Sequence, residues 1–254
     1  MLKQTATKPR FGRIVAVEFR KLVSTVPQRI LALSVVASAV LVAVALLLEY
    51  EAIFGGPAHW LVISFIVRMP AQYLLPPLII LLVTTEWGTR SAMTTFTLVP
   101  RRGQVVWAKG IVAFVASSVT WLLTSAVAIG ANAIAFQQLD YPTAALWMPA
   151  ADVAREYLGF MILMASAFAI ALLIHNTAAA IAVVLVVPII TQIAVQLGGF
   201  IARVAEWINI SALIQQILLY GETGEWPKLV VASAVWVLAP LVAGVWWTMR
   251  REAA

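Results

Sequence analysis

The sequence predicts an all-α, polytopic membrane protein with six transmembrane helices. Of its 254 residues, 63% are hydrophobic and only 11% are charged, whereas about a quarter of the residues of a soluble domain are charged. Uncharged stretches of about 20 residues recur along the chain, and that length crosses a hydrocarbon core of about 30 Å. Most Lys and Arg residues flank these stretches on one side. The composition therefore excludes a water-soluble fold.

The six spans follow from the uncharged stretches. The fourth and fifth come from one stretch between Glu156 and Arg203, which is too long for one crossing and suits two. The turn between them is predicted at residues 175–177. The first apolar run continues to Leu48, so it is long enough to remain as a span after a basic leader. The predicted spans are residues 30–48, 61–85, 110–136, 157–174, 178–198 and 229–249.

The second span has an open start. Arg68 interrupts its apolar run, so either the helix begins near Met69 or it begins earlier and Arg68 reaches the outer interface. Three prolines inside this span are compatible with a membrane helix. Pro188 and Pro240 predict kinks in the fifth and sixth spans.

The distribution of basic residues predicts the orientation. Short loops rich in Lys and Arg stay on the cytoplasmic side. With the N-terminus in the cytoplasm, all but four of the 17 Lys and Arg residues fall on that side. The exceptions are Arg68, Arg155, Arg203 and Lys228. Both termini are therefore expected in the cytoplasm, and residues 1–254 are expected to form one transmembrane domain.

Two segments outside the spans have amphipathic patterns. In residues 1–29, apolar residues recur at helical spacing while Arg13, Arg20 and Lys21 lie on other faces, which is typical of a helix on the membrane surface. It is either a basic anchor or a functional element. Residues 199–228, between the fifth and sixth spans, are apolar with few charges, which fits an outer re-entrant helix or an ordinary interfacial segment.

The cytoplasmic loop at residues 86–109 is too long for a simple turn. Glu86 lies where the second helix leaves the membrane, residues 87–98 are predicted to form a short helix, and Pro100 would end it. Arg101 and Lys109 belong to the return to the interface. The alternative is that the basic residues merely follow the topology and Glu86 neutralises them.

At this loop the chain resembles the type-2 ABC transporter permeases, the membrane subunits of bacterial ABC exporters. The matching positions are Glu86, Gly88-Thr89, Leu98, Pro100-Arg101 and Lys109. Residues 17–21 also look like the amphipathic connecting helix of that family. The resemblance implies a multi-pass protein of the bacterial inner membrane, with a second permease copy or a paralogue as partner. It also implies that the loop couples the spans to a cytoplasmic ATPase subunit through Glu86, Gly88, Thr89, Arg90, Pro100, Arg101 and Lys109.

No catalytic motif is present in the sequence. It contains no G-x-x-x-x-G-K-[ST] phosphate loop, nucleophile elbow, H-E-x-x-H motif or cysteine. Its two histidines, His59 and His175, are predicted on opposite sides of the membrane and cannot share a metal. We therefore expect no enzyme activity, cofactor or nucleic-acid partner in this chain, and ATP and Mg²⁺ to be bound by the ATPase subunit.

Four polar residues inside the spans are candidates for a translocation cavity. They are Gln72, Tyr73, Gln192 and Gln196. The resemblance implies that the second and fifth spans line the transport path, whereas buried amides also commonly hold membrane helices together. Since no carboxylate is expected inside the last five spans, a proton-coupled carrier is disfavoured. The alternative to an exporter is a six-span immunity or scaffold protein that acts only by binding partners.

Overall fold

The computed structural model describes residues 10–88, 102–142, 148–219 and 223–250, which form helices and turns without any strand. Six helices of this part of the chain are long and apolar enough to cross a membrane: Val26–Leu48, Trp60–Glu86, Gly103–Gln138, Ala150–Ile174, Thr177–Gln196 and Trp226–Arg250. The prediction of an all-α protein with six such helices is confirmed, and the chain is a multi-pass membrane protein. The helices are α1 Phe11–Leu22, α2 Val26–Leu48, α3 Tyr50–Phe54, α4 Trp60–Gly88, α5 Arg102–Gln138, α6 Ala150–Ile174, α7 Thr177–Gln196, α8 Gly199–Ile208, α9 Ile210–Leu219 and α10 Trp226–Arg250.

Several spans begin earlier than their charge-free stretches suggest. Helix α4 begins at Trp60 and passes through Arg68, so the alternative start near Met69 is wrong. Helix α5 begins at Arg102 rather than at residue 110, and α6 begins at Ala150 rather than at residue 157. The reason is that Arg68, Lys109 and Glu156, which interrupt the apolar stretches, are paired within the protein, so these charges do not mark the end of a helix.

Local capping interactions define two of the helix starts. The Thr25 side chain accepts from the backbone N–H of Gln28, and the Gln28 side chain accepts from the backbone N–H of Thr25, a reciprocal capping box that starts α2. Between α6 and α7, His175 adopts a left-handed conformation and Asn176 caps α7. These contacts close the tight turn at residues 175–176.

Helix α4 lies at the centre of the bundle. It packs against α2, α5, α6 and α7, and its buried face includes Leu75, Leu78 and Ile79. Helices α6 and α10 approach closely, because a Cβ on Gly244 would lie 2.8 Å from the carbonyl carbon of Leu172. Such small-residue contacts let membrane helices pack closely where hydrophobic burial gives little driving force.

Helix α10 contains a π-turn at Ala234–Leu238. Pro240 lies just after it, has no N–H to donate and displaces the carbonyl of the preceding turn. The predicted irregularity at Pro240 therefore takes the form of a local widening of the helix.

Helix α1 defines one end of the bundle, which we call the α1 end; the other is the far end. Thr84 near the end of α4 and Thr177 at the start of α7 place their hydroxyl oxygens 2.7 Å apart. His175 Nε2 and Thr248 Oγ1 are 3.2 Å apart. The chain therefore turns from α6 to α7, and α10 ends, at the α1 end.

Helices α8 and α9 form a hairpin that is inserted between the spans from the far end. At its turn, Trp236 Nε1 donates to the carbonyl of Ile208 (2.7 Å) and Asn209 Nδ2 donates to Gln192 Oε1 (2.9 Å). Trp236 precedes Thr248 by about 18 Å along α10, at 1.5 Å per residue. The hairpin turn thus lies between α7 and α10, one helical turn from the end of α7 and about 15 Å along α10 from its start at Trp226.

Candidate functional site

Four charged side chains meet at the α1 end. Glu18 and Lys21 come from α1, Glu86 from the end of α4, and Lys109 from α5. Lys21 Nζ donates to Glu18 (2.7 Å) and to Glu86, while Lys109 Nζ lies 3.0 Å from Glu18 and 3.6 Å from Glu86. Lys109 also donates to the carbonyl of Leu82 at 2.6 Å. We call this group the four-charge cluster.

The four-charge cluster is electrically balanced and largely buried. Glu18, Glu86 and Lys109 are all buried, and Lys21 is half-buried. Burial alone would lower the pKa of Lys21, but its hydrogen bonds to the two carboxylates outweigh this, so the pKa is raised above its ordinary 10.5. Lys21 therefore carries its charge throughout the neutral range. The cluster fixes α1 to the point where the chain leaves α4 and where it begins α5.

The predicted coupling residues fall in two groups. Glu86 and Lys109 belong to the four-charge cluster, and Gly88 is the last residue of α4. The other four, Thr89, Arg90, Pro100 and Arg101, and most of the predicted coupling helix lie outside the described residues. The sequence pattern included residues 17–21 but did not indicate that Lys21 contacts Glu86 in α4 or that Glu18 contacts Lys109 in α5.

A cavity of about 320 Å³ lies between α4, α6, α7 and the hairpin. Of the four predicted cavity residues, Gln72, Tyr73 and Gln192 line it. Gln196 does not, because it is the last residue of α7, one turn beyond Gln192. Most of the wall is apolar, with Leu163, Ile170, Val184, Pro188 and Ile189 among its residues.

The polar side chains of the cavity differ in how far they are hydrogen-bonded. Gln192 Oε1 accepts from Asn209, and Asn209 Oδ1 accepts from the backbone N–H of Ala212 at 3.1 Å. No hydrogen bond joins the side chain of Gln72 or Tyr73 to another described residue. Gln192 thus ties the hairpin to α7, while α4 presents an amide and a phenol with unused hydrogen-bonding capacity.

A buried ion pair forms part of the same wall. Arg68 Nη1 donates to Glu156 Oε1, and Ser64 donates to the same oxygen. Arg68 is 1% exposed and Glu156 is 5% exposed. Arg68 therefore does not reach the interface, and the expectation that the last five spans contain no carboxylate is wrong, because Glu156 lies inside α6.

Helix α5 supplies further partners for the Arg68 guanidinium. Its Nε donates to Thr124 Oγ1 (3.2 Å) and its Nη2 to Ser125 Oγ (2.6 Å), while its Cζ lies 5.2 Å from the centroid of the Trp121 ring. An isolated charge costs about 2.5–3.5 kcal/mol at the centre of a membrane helix. The carboxylate, the hydroxyls and the ring replace much of the lost hydration.

The cavity opens on the flank of the bundle, between α4 and α7. Four of its lining residues are also exposed at the surface: Met69 (43%), Tyr73 (53%), Ile189 (55%) and Gln192. Towards the α1 end, the buried side chains of Ile80, Ala167, Ile170 and Ala180 close it. Towards the far end, the hairpin covers it.

Comparisons with known proteins find no matching family model, no matching curated protein and no matching solved structure. The described residues also contain no group of three His, Asp or Glu side chains that could hold a metal ion. The four-charge cluster and the cavity are the two candidate functional sites in the described part of the chain.

Proposed function

We propose that the chain is the membrane-spanning permease subunit of an ATP-binding cassette exporter. It forms the translocation path and couples to a separate ATPase subunit that binds ATP and Mg²⁺. The α1 end faces the cytoplasm of a bacterial cell, and a second copy or a paralogue completes the membrane part. The substrate leaves on the far side, past the hairpin.

The observation that carries the proposal is the position of the four-charge cluster. Helix α4 ends at Gly88, two residues after Glu86, and α5 begins at Arg102, seven residues before Lys109; the connection between the two helices therefore starts within one helical turn of a member of the cluster. A force on this connection is transmitted to three helices together, because ion pairs join α1 to both α4 and α5. A partner that moved this connection would therefore move α1, α4 and α5 as one unit.

Helix α4, which carries Glu86 near its end, also lines the cavity. Gln72 lies about 21 Å from Glu86 along α4, at 1.5 Å per residue. Pro76 and Pro77 lie between them, and each removes a backbone hydrogen bond, so α4 can bend there. In the proposed mechanism, closure of the ATPases on ATP shifts the cytoplasmic part of α4, and the bend opens the cavity beside the hairpin.

Site-directed crosslinking tests the partner directly. The chain contains no cysteine, so Arg90→Cys places a single thiol in the proposed coupling loop. We expect a crosslink to a protein that carries a G-x-x-x-x-G-K-[ST] phosphate loop. The matched control is Glu51→Cys on α3, an exposed residue at the far end, which should give no such product.

Two substitutions test the coupling itself. In the intact complex, Glu86→Ala and Arg90→Ala should lower substrate-stimulated ATP hydrolysis and export, whereas Glu51→Ala should leave both unchanged. Wild-type rates in both loop variants would contradict the assignment of the coupling site. Purification of the chain without any ATPase, together with no crosslink from residue 90, would favour the partner-binding immunity or scaffold protein instead.

A further inference from the structure

We propose that the cavity binds uncharged amphiphiles that carry amide or hydroxyl groups on a hydrocarbon body, and that the Arg68–Glu156 pair sets this charge selectivity. The inference names the substrate class of the path proposed above and rests on that function for its role in export. Binding to the cavity, however, is a property of this chain and can be measured without an ATPase.

The charges in the cavity wall balance each other. Among the described residues, Arg68 and Glu156 are the two with formal charge that line the cavity, and they neutralise each other. A cationic ligand would find the charge of Glu156 already balanced by Arg68, with only the Oε2 atom of that carboxylate left without a hydrogen bond, and an anionic ligand would find the charge of Arg68 already balanced. Either would lose its hydration without gaining a free counter-ion.

Two polar side chains of the cavity have unused hydrogen-bonding capacity. Gln72 and Tyr73 line the cavity, and neither side chain has a hydrogen-bond partner among the described residues. An amide group both donates and accepts, and a phenol can do either. A neutral amide or hydroxyl on the ligand satisfies them without bringing a charge into an apolar wall.

The volume, lining and position of the cavity favour a ligand with a hydrocarbon body. A volume of about 320 Å³ lies at the lower end of the range of small-molecule sites, and most of the lining side chains are apolar. The mouth lies on the flank of the bundle, beside the exposed residues Met69, Tyr73 and Ile189. A ligand that reaches this mouth has first dissolved in the bilayer, which an amphiphile with a hydrocarbon body does.

The test uses three fluorescent probes with one alkyl chain length and one fluorophore: an alkyl amide, an alkyl sulfonate and an alkyl trimethylammonium. Binding to the purified chain is measured in nanodiscs of zwitterionic lipid. We expect the wild type to bind the amide at least about tenfold more tightly than either charged probe. Mass spectrometry of lipids that copurify with the chain distinguishes an endogenous lipid from a compound that partitions in from outside.

Charge-neutralising variants test the role of the ion pair. Glu156→Gln leaves the charge of Arg68 unpaired and should shift the preference to the sulfonate. Arg68→Gln leaves Glu156 unpaired and should shift it to the trimethylammonium. The double variant R68Q/E156Q restores a neutral wall and should bind the amide as the wild type does.

The double variant keeps the test decisive if a single variant fails to fold, because it leaves no buried charge unpaired. A wild type that binds a charged probe within about threefold of the amide would overturn the proposal, as would a double variant that prefers a charged probe. If the wild type did not bind the amide probe but the ATPase crosslink still formed, only this inference would be refuted. Absence of the crosslink, with amide binding intact, would refute only the proposed function.

Discussion

Replacing Glu18 by Gln removes the carboxylate that joins α1 to Lys109. Glu18 and Lys109 are both buried, and Lys109 Nζ lies 3.0 Å from Glu18 Oε2. Removing one partner of a buried ion pair costs about 3–5 kcal/mol, since the other charge stays buried. Here Lys109 keeps Glu86 at 3.6 Å and the Leu82 carbonyl, so we expect the lower end of that range.

The remaining contact from α1 to α4 is weaker. The Lys21 side chain is 35% exposed, and ion pairs of this exposure contribute about 0–1 kcal/mol. Loss of about 3 kcal/mol should therefore raise the exchange rates of the α1 backbone amides by about two orders of magnitude, because undocking exposes them. The assay is hydrogen–deuterium exchange in nanodiscs, with α2 amides as the internal reference.

The double variant Glu18→Gln/Lys109→Gln separates charge from packing. It removes both buried charges of the pair, so its effect should be clearly smaller than the sum of the two single effects. If the Glu18→Gln variant changed α1 exchange by less than about threefold, or if the effects were additive, the four-charge cluster would not hold α1 in place.

Two further predictions concern helix packing and pH. Gly244→Ala should lower stability by about 1–3 kcal/mol, because the new Cβ meets the backbone of Leu172, whereas Gly130→Ala, with open space around it, should be neutral; thermal unfolding in detergent compares the two. Because the pKa of Lys21 is raised, its contribution to α1 docking is complete below pH 10.5 and is lost as the pH rises through the raised value. Hydrogen exchange of α1 should show this alkaline loss in the wild type, and a Lys21→Gln variant whose alkaline profile matched the wild type would exclude Lys21 as the cause.

The candidate site residues differ in how far the sequence could predict them. Gln72, Tyr73 and Gln192 could be predicted as cavity residues from the sequence. Polar side chains within apolar spans are costly and therefore conspicuous, and the resemblance implies that the second and fifth spans line the path. Gln196 has the same chemistry and shares a helix face with Gln192, yet it lies beyond the cavity. Its position depends on where the hairpin closes the space, which no local pattern contains.

The charged residues show why the remainder could not be predicted. The sequence predicts Arg68 either just before a helix start or at the interface, and Glu156 just before the fourth span, because an unpaired charge is costly inside a membrane. The two residues are 88 positions apart in the chain. The ion pair between them, together with the contacts of Arg68 with Ser125 and Trp121, allows both charges to be buried between the helices.

By itself, the sequence determined that the protein is all-helical and has six helices able to cross a membrane. Each such helix must satisfy its own backbone and bury about 20 apolar residues, and both requirements are local. The tertiary structure alone decided how Arg68 joins Glu156, how Glu18 joins Lys109, and how deep the hairpin turn lies beside Trp236. These contacts depend on which helices are neighbours, a property of packing between distant segments rather than of any stretch of the chain.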